Sequence, residues 1–233
     1  MKWLLVLGAA IALQACTAIP DLVAQQGTLE PVAGDAATML GLTTDGWPMV
    51  IESGPNAPKT SQIIVETTGT GWTKHTPWAV MELHRTRDGS IVKPMQRDLD
   101  ERVTVFFDPP LPVLTAAMAA ADALMLDATG TMRVHRLGQE ARRPLASGTW
   151  AVHIERGKDI DGPVGSIARL SGTFKADLGF SSAEGAIEEV LDLNRGPLHR
   201  QQFMRRRVLG IPSDSLHIWT RTDLTKATVR TDD

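Results

Sequence analysis

His153-Ile154-Glu155 places two titratable side chains two residues apart, which on a strand puts both on one face, where an imidazole and a carboxylate can act as an acid/base pair. The surrounding alternation assigns that face to water, so the pair also reads as solubilising surface. Asp122 is a second candidate, a carboxylate among Met118, Ala121, Ala123 and Leu124. Buried there it acquires the raised pKa of a functional acid; at a helix edge it meets water. Arg205-Arg206-Arg207, preceded by Arg195, His199 and Arg200, is the densest positive cluster in an acidic chain, and the arginine fork suits phosphates and carboxylates. Read on a helix, three adjacent arginines fan over about 200°, which makes them either a binding surface for an anionic partner or a solvated face paired to Glu188 or Glu189. The histidines, His75, His84, His135, His153, His199 and His217, show no close pair at metal-ligand spacing, so neither a metal nor a cofactor is expected. Asp159-Ile160-Asp161-Gly162 opens like a calcium loop, but its twelfth position is Leu170 rather than a carboxylate, which leaves a turn. Serine-elbow, HExxH, phosphate-loop and GxGxxG signatures are missing, which lowers the expectation of an enzyme without excluding a hydrolase or transferase built on an unfamiliar site.

Cys16 is the chain's single cysteine. It follows Lys2, an apolar run over residues 3–13, then Gln14 and Ala15, the layout of a secretory signal. The run is well short of the roughly 20 residues that cross a bilayer as a helix. Leu13-Gln14-Ala15-Cys16 resembles the lipobox of bacterial lipoproteins, a resemblance confined to about the first twenty residues. It implies removal of residues 1–15, a diacylglyceryl group on the Cys16 sulfur and an acylated new amino terminus. Thr17, where some members of that class carry an inner-membrane-retaining Asp, implies an outer-membrane anchor with the domain in the periplasm. Two or more acyl chains give stable anchoring. The other reading is a plain signal peptide with an incidental cysteine. Acylation consumes the thiol, leaving no disulfide, thiolate metal site or cysteine nucleophile.

Composition is that of a globular chain, 42% hydrophobic and 22% charged over 233 residues, enough for one main core. The formal net charge is −3, one more negative once Lys2 leaves with the signal, so there is no global electrostatic case for nucleic acid. Residues 16–38 read as a lipidated tether, although Leu22, Val23, Leu29 and Val32 can also pack as an irregular first strand. Across 39–107, short apolar and β-branched runs alternate with turn formers, and Asp88-Gly89 reads as a tight hairpin. Pro109, Pro110 and Pro112 interrupt this pattern, and the alanine-rich stretch over 114–125 reads as a buried helix. A competing reading makes residues 123–127 a strand that turns at 128–130 into 132–137. Over 148–180 the alternation is clear: Trp150, Val152 and Ile154, then Leu170, Phe174, Ala176, Leu178 and Phe180, face one side. Ser181 to Glu184 fits a capping box, and Ala183, Ile187, Val190 and Leu191 follow at helical spacing. A second helix is read from Pro197, then a last strand over 216–222 and a loose end from residue 226.

These signals predict an α+β fold, with an antiparallel sandwich or partly closed barrel over 39–180, one inserted helix and a two-helix C-terminal cap over 181–212. A terminal strand and tail occupy 213–233, and 39–233 form one globular domain. The leading functional expectation is a lipid-anchored, non-enzymatic periplasmic module that binds an anionic envelope component or another envelope protein through Arg200, Arg205, Arg206 and Arg207. Two other classes stand beside it. One is a carrier holding an apolar ligand in a barrel lined by Trp47, Trp72, Trp78 and Trp150; the other is a hydrolase or transferase using His153, Glu155 or Asp122.

Overall fold

The computed structural model describes residues 29–30, 34–53, 57–120, 123–159 and 167–223. Cys16, Asp122, the tether over 16–28 and the tail from 226 lie outside them.

The described strands are β1 (Leu29–Glu30), β2 (Gly46–Ile51), β3 (Lys59–Thr68), β4 (Gly71–His75), β5 (Ala79–Arg85), β6 (Ile91–Asp98), β7 (Val103–Leu114), β8 (Met125–Arg136), β9 (Ala146–Asp159), β10 (Ile167–Asp177), β11 (Ser181–Asp192), β12 (Gly196–Val208) and β13 (Ile211–Arg221). From β2 onward each strand pairs antiparallel with the next in sequence, and β13 pairs back onto β2. The predicted sandwich or partly closed barrel is therefore a closed, twelve-stranded up-and-down barrel, with β1 added beside β9. Antiparallel neighbours need only short turns, and closure removes the sheet edges. At the expected Asp88-Gly89 hairpin, Gly89 takes φ +92°, and the Asp88 carboxylate accepts from the Ser90 hydroxyl at 3.0 Å.

The two-helix cap is overturned, because its segments are β11 and β12. Ala183, Ile187 and Leu191 satisfy a helical spacing of four, but four is also an even number. On a strand these residues share one face with Gly185 and Glu189, and β10 and β12 pair with β11 along most of its length. Local helix preference is weak against pairing on both sides. The inserted helix shrinks to a single turn, α2 (Ala116–Ala119), whose Thr115 hydroxyl accepts from the Met118 amide at 3.1 Å. Beyond it, β8 runs straight through Gly130, where an added Cβ would stand 2.6 Å from the Trp150 ring. Nor do the prolines end the sheet. β7 continues past them at a bulge: pairing with β8 stops at Asp108, and pairing with β6 jumps from Phe106 to Leu111. The inward series carries on from Ala176 to Leu178, which packs against the cluster around Trp150, but Phe180 stands 55% exposed in the β10–β11 turn.

One end of the barrel is filled. Asp35 caps α1 (Ala36–Met39) through a 2.8 Å bond from the Thr38 amide, and Ala36, Ala37, Met39, Leu40 and Leu42 are buried. They pack with α2's Met118 and with Trp47, Met49, Ile63, Leu83, Ile91, Leu114, Ile154, Leu170, Leu191 and Trp219 from the wall. Ala36 and Ala37, read as tether, thus belong to the core. A second cluster, Phe107, Leu111, Met132, Trp150 and Ala176, lies toward the other end on the arc from β7 to β10. There the inward side chains of Met81, Val105, Val152, Phe174, Gln202 and Met204 are half-buried rather than sealed, so water reaches the lumen. Outward positions of β8 to β12 include Asp127, His153, Glu155, Lys175, Glu184 and Arg207. This alternation is the reverse of a membrane-spanning barrel, which turns an apolar band outward.

Because Leu191 is fully buried on the inward face and Lys175 is exposed on the outward one, Leu191→Ala is expected to cost about 2–5 kcal/mol in denaturant unfolding and Lys175→Ala to stay within ~0.5 kcal/mol. Equal losses would contradict the inward assignment.

Candidate functional site

Strand register places a belt of polar groups inside the barrel. On β4, Lys74 pairs with the core residue Val65 and with Met81. On β6, Lys93 follows buried Ile91 at strand spacing and Gln96 lies opposite Val105. On β11 and β12, Glu189 lies opposite Leu170 and Arg200, and Arg200 also faces Trp219. Gln202 and His217 are paired neighbours on β12 and β13.

Arg200 is oriented by both neighbours. Its Nη2 donates to Gln202 Oε1 at 2.7 Å, its Nη1 lies 3.8 Å from Glu189 Oε1, and its buried Nε has no hydrogen-bond partner among the described residues. Lys93 Nζ donates to Gln96 Oε1 at 2.6 Å and sits 5.3 Å from the centre of the Phe107 ring. Burial strips water from Lys93 and the Arg200 charge repels its proton, together pushing its pKa down to about 7. Lys74 donates to the Leu40 carbonyl at 3.4 Å and lies 4.8 Å from the Trp47 ring centre. Burial lowers its pKa to about 8, with Glu189 opposing and Arg200 assisting that fall. His217 packs on Trp78 with ring centres 4.9 Å apart. Burial again lowers its pKa, Asp100 working against that and Arg200 with it. The Arg200 charge thus acts on all three groups, which lie around it on separate strands. Between β6 and β11 the lumen wall is apolar, with Phe107, Val105, Val152, Phe174 and Trp150.

The sequence-derived candidates lie elsewhere. His153 and Glu155 are on the outer wall of β9, and His153 lines a shallow groove of about 350 Å³ with Asp127, Thr129, Thr173 and Lys175. His153 Nδ1 is 2.8 Å from Asp127 Oδ1 and Nε2 is 3.1 Å from Glu155 Oε1. These two hydrogen bonds, Glu155's first, raise its pKa. Both ring nitrogens are taken up by carboxylates, which makes this a surface ion cluster. Arg205, Arg206 and Arg207 alternate on a strand instead of fanning from a helix. Arg205 grips Asp214 with Nε at 3.0 Å and Nη2 at 2.9 Å. Arg206 points inward to Asp98, at 3.0 Å, and to Glu101, while Arg207 lies 3.7 Å from Glu184 and is 44% exposed. Each therefore has acids from elsewhere in the fold. Trp47 and Trp150 are sealed at 1% and 2% exposure, whereas Trp72 and Trp78 are half-buried. Among the described residues, no group of three or more His, Cys, Asp or Glu side chains gathers to hold a metal.

Sequence reading missed Lys74, Lys93, Gln96 and Gln202; Glu189, named there only as a partner for a solvated arginine face, lies inward beside Arg200. For Lys93 a signal existed, a charged residue on the same strand parity as Ile91. No family model, curated protein or solved structure matches this chain.

An unfolded lysine titrates near 10.5, so between about 7 and 10.5 the folded chain binds fewer protons at Lys93 than the unfolded chain, and stability rises with pH across that window. Urea unfolding is expected to show this rise between roughly pH 7 and 9, with a shallower slope in Lys93→Met. Identical slopes would contradict a lowered pKa at Lys93.

Proposed function

We propose that this chain is a carrier, anchored by lipid in a bacterial envelope, which holds an apolar ligand in the part of its lumen away from α1. The observation that carries the reading is the pairing of a filled end with a water-reachable, apolar-walled one. A barrel plugged by its own core retains a ligand rather than conducting it. Half-buried Val105, Val152, Phe174 and Met204 then present the kind of concave apolar surface that small ligands cover. Of the expected tryptophan lining, Trp47 and Trp150 are sealed, and Trp72 and Trp78 pack against the core of the filled end.

The turns at the same end expose Leu99, Leu145, Phe180, Val208, Leu209 and Ile211. An apolar rim around the mouth suits collection of ligand at a lipid surface. Cys16 supplies the attachment in this reading, and the residues between it and β1 reach up to roughly 40 Å when extended, enough for the mouth to approach the membrane.

Two measurements test the proposal. Metabolic labelling with a fatty acid is expected to mark the wild-type chain and to be lost in Cys16→Ser; label that persists would remove the anchor. Delipidated protein is expected to enhance the emission of an environment-sensitive naphthylamine dye and to release it to a long-chain lipid. Val152→Trp, which fills the lumen, is expected to weaken dye binding about tenfold, ~1.4 kcal/mol. Unchanged dye affinity in that variant would place the dye elsewhere and contradict the carrier.

A further inference from the structure

Resting on the carrier reading, we propose that the ligand is an anionic amphiphile whose carboxylate or phosphate head is bound by Lys93 and Arg200, with its apolar body against Phe107, Val105, Val152 and Phe174. Three observations converge. First, the Arg200 charge bears on both Lys74 and Lys93; Glu189, 3.8 Å from Arg200, offsets it at Lys74, whereas the groups that touch Lys93, Gln96 at 2.6 Å and the Phe107 ring, are neutral. Interior cations without matching anions are costly, and a bound anion removes that cost. Second, the Arg200 guanidinium is positioned by Gln202, 2.7 Å from its Nη2, and lies 3.8 Å from Glu189, while its side chain keeps 21% of its surface exposed, so an oriented fork remains reachable by a ligand anion. Third, Lys93 sits 5.3 Å from the Phe107 ring centre, so the cationic belt and the apolar wall meet at one place. An anion there also restores the Lys93 proton that burial and Arg200 disfavour. Arg206 is the contrasting case: it faces inward too, but Asp98 and Glu101 already occupy it.

The test is dye displacement on the full chain by three ligands of equal chain length: a fatty acid, a monoalkyl phosphate and the uncharged alcohol. At least one of the two anions is expected to bind wild type about tenfold or more tighter than the alcohol, and which anion binds tighter identifies the head group. The Lys93→Gln/Arg200→Gln double variant is expected to lose that preference while keeping its affinity for the alcohol. Should the double variant fail to fold, Lys93→Gln alone serves, with an expected loss of roughly threefold or more in anion preference. Equal binding of alcohol and anions by wild type, or an intact preference in the folded variant, would overturn the head-group site while leaving the carrier in place. Failure of all three ligands, alcohol included, to displace the dye would overturn both.

Discussion

A twelve-stranded meander has two free edges, and here they are joined by a seam of three residue pairs, Trp219 with Ile51, Thr220 with Val50 and Arg221 with Met49. Left open, those edges would present unpaired backbone groups to any passing strand. A seam this short depends on what lies around it. Trp47 and Trp219, with ring centres 6.4 Å apart, pack behind it in the core. Arg221 ties the strand end to the β11–β12 turn through the Arg195 carbonyl at 2.6 Å, and its guanidinium lies 5.2 Å from the Trp47 ring centre. Backbone bonds from Glu52 to Ile218 and from Thr222 to Pro48 extend the junction on both sides. Closure and core formation are therefore one event at this end of the molecule.

Barrel width explains why the fold needs α1. Eight strands enclose a space that side chains alone can fill, and the diameter grows with strand number. With twelve, apolar wall residues alone leave the axis unfilled at one end, where the segment from Ala36 to Leu42 supplies the missing volume, and elsewhere the long Arg206 of β12 spans the lumen to Asp98 of β6. Toward the other end no such plug is described, and inward residues there remain partly exposed. The interior is thus divided into a packed half that stabilises and a wetter half that can bind. Lys74 sits in the packed half, on the Leu40 carbonyl and the Trp47 ring, whereas Lys93 and Arg200 adjoin the wetter half, where interior charge is costly to folding. Their presence is better explained by what the lumen holds than by stability.

How much of this was legible in the sequence follows from how each segment is buried. The alternation over β9 and β10 was readable because each has one wet and one buried face, and the Asp88-Gly89 hairpin because its turn chemistry is local. β11 was misread because its apolar residues fall four apart, a spacing that serves a helix and a strand equally. Closure could not be read at all, since it depends on Met49, Val50 and Ile51 meeting a strand some 170 residues later. The site shows the same limit. Arg200 was picked out for its charge, but its neighbours come from β4, β6, β11 and β13, and no local pattern joins them. Outer-wall His153 and Glu155 drew attention through a short spacing that strands place on any face.

The most direct measurement is thiol accessibility along β12 in a Cys16→Ser background, comparing outward Gln201→Cys with inward Gln202→Cys. A water-soluble maleimide should label Gln201→Cys at the same rate with and without a long-chain amphiphile, and label Gln202→Cys more slowly once the amphiphile is bound. Equal rates for the two positions with no protection at either would contradict a ligand-holding lumen.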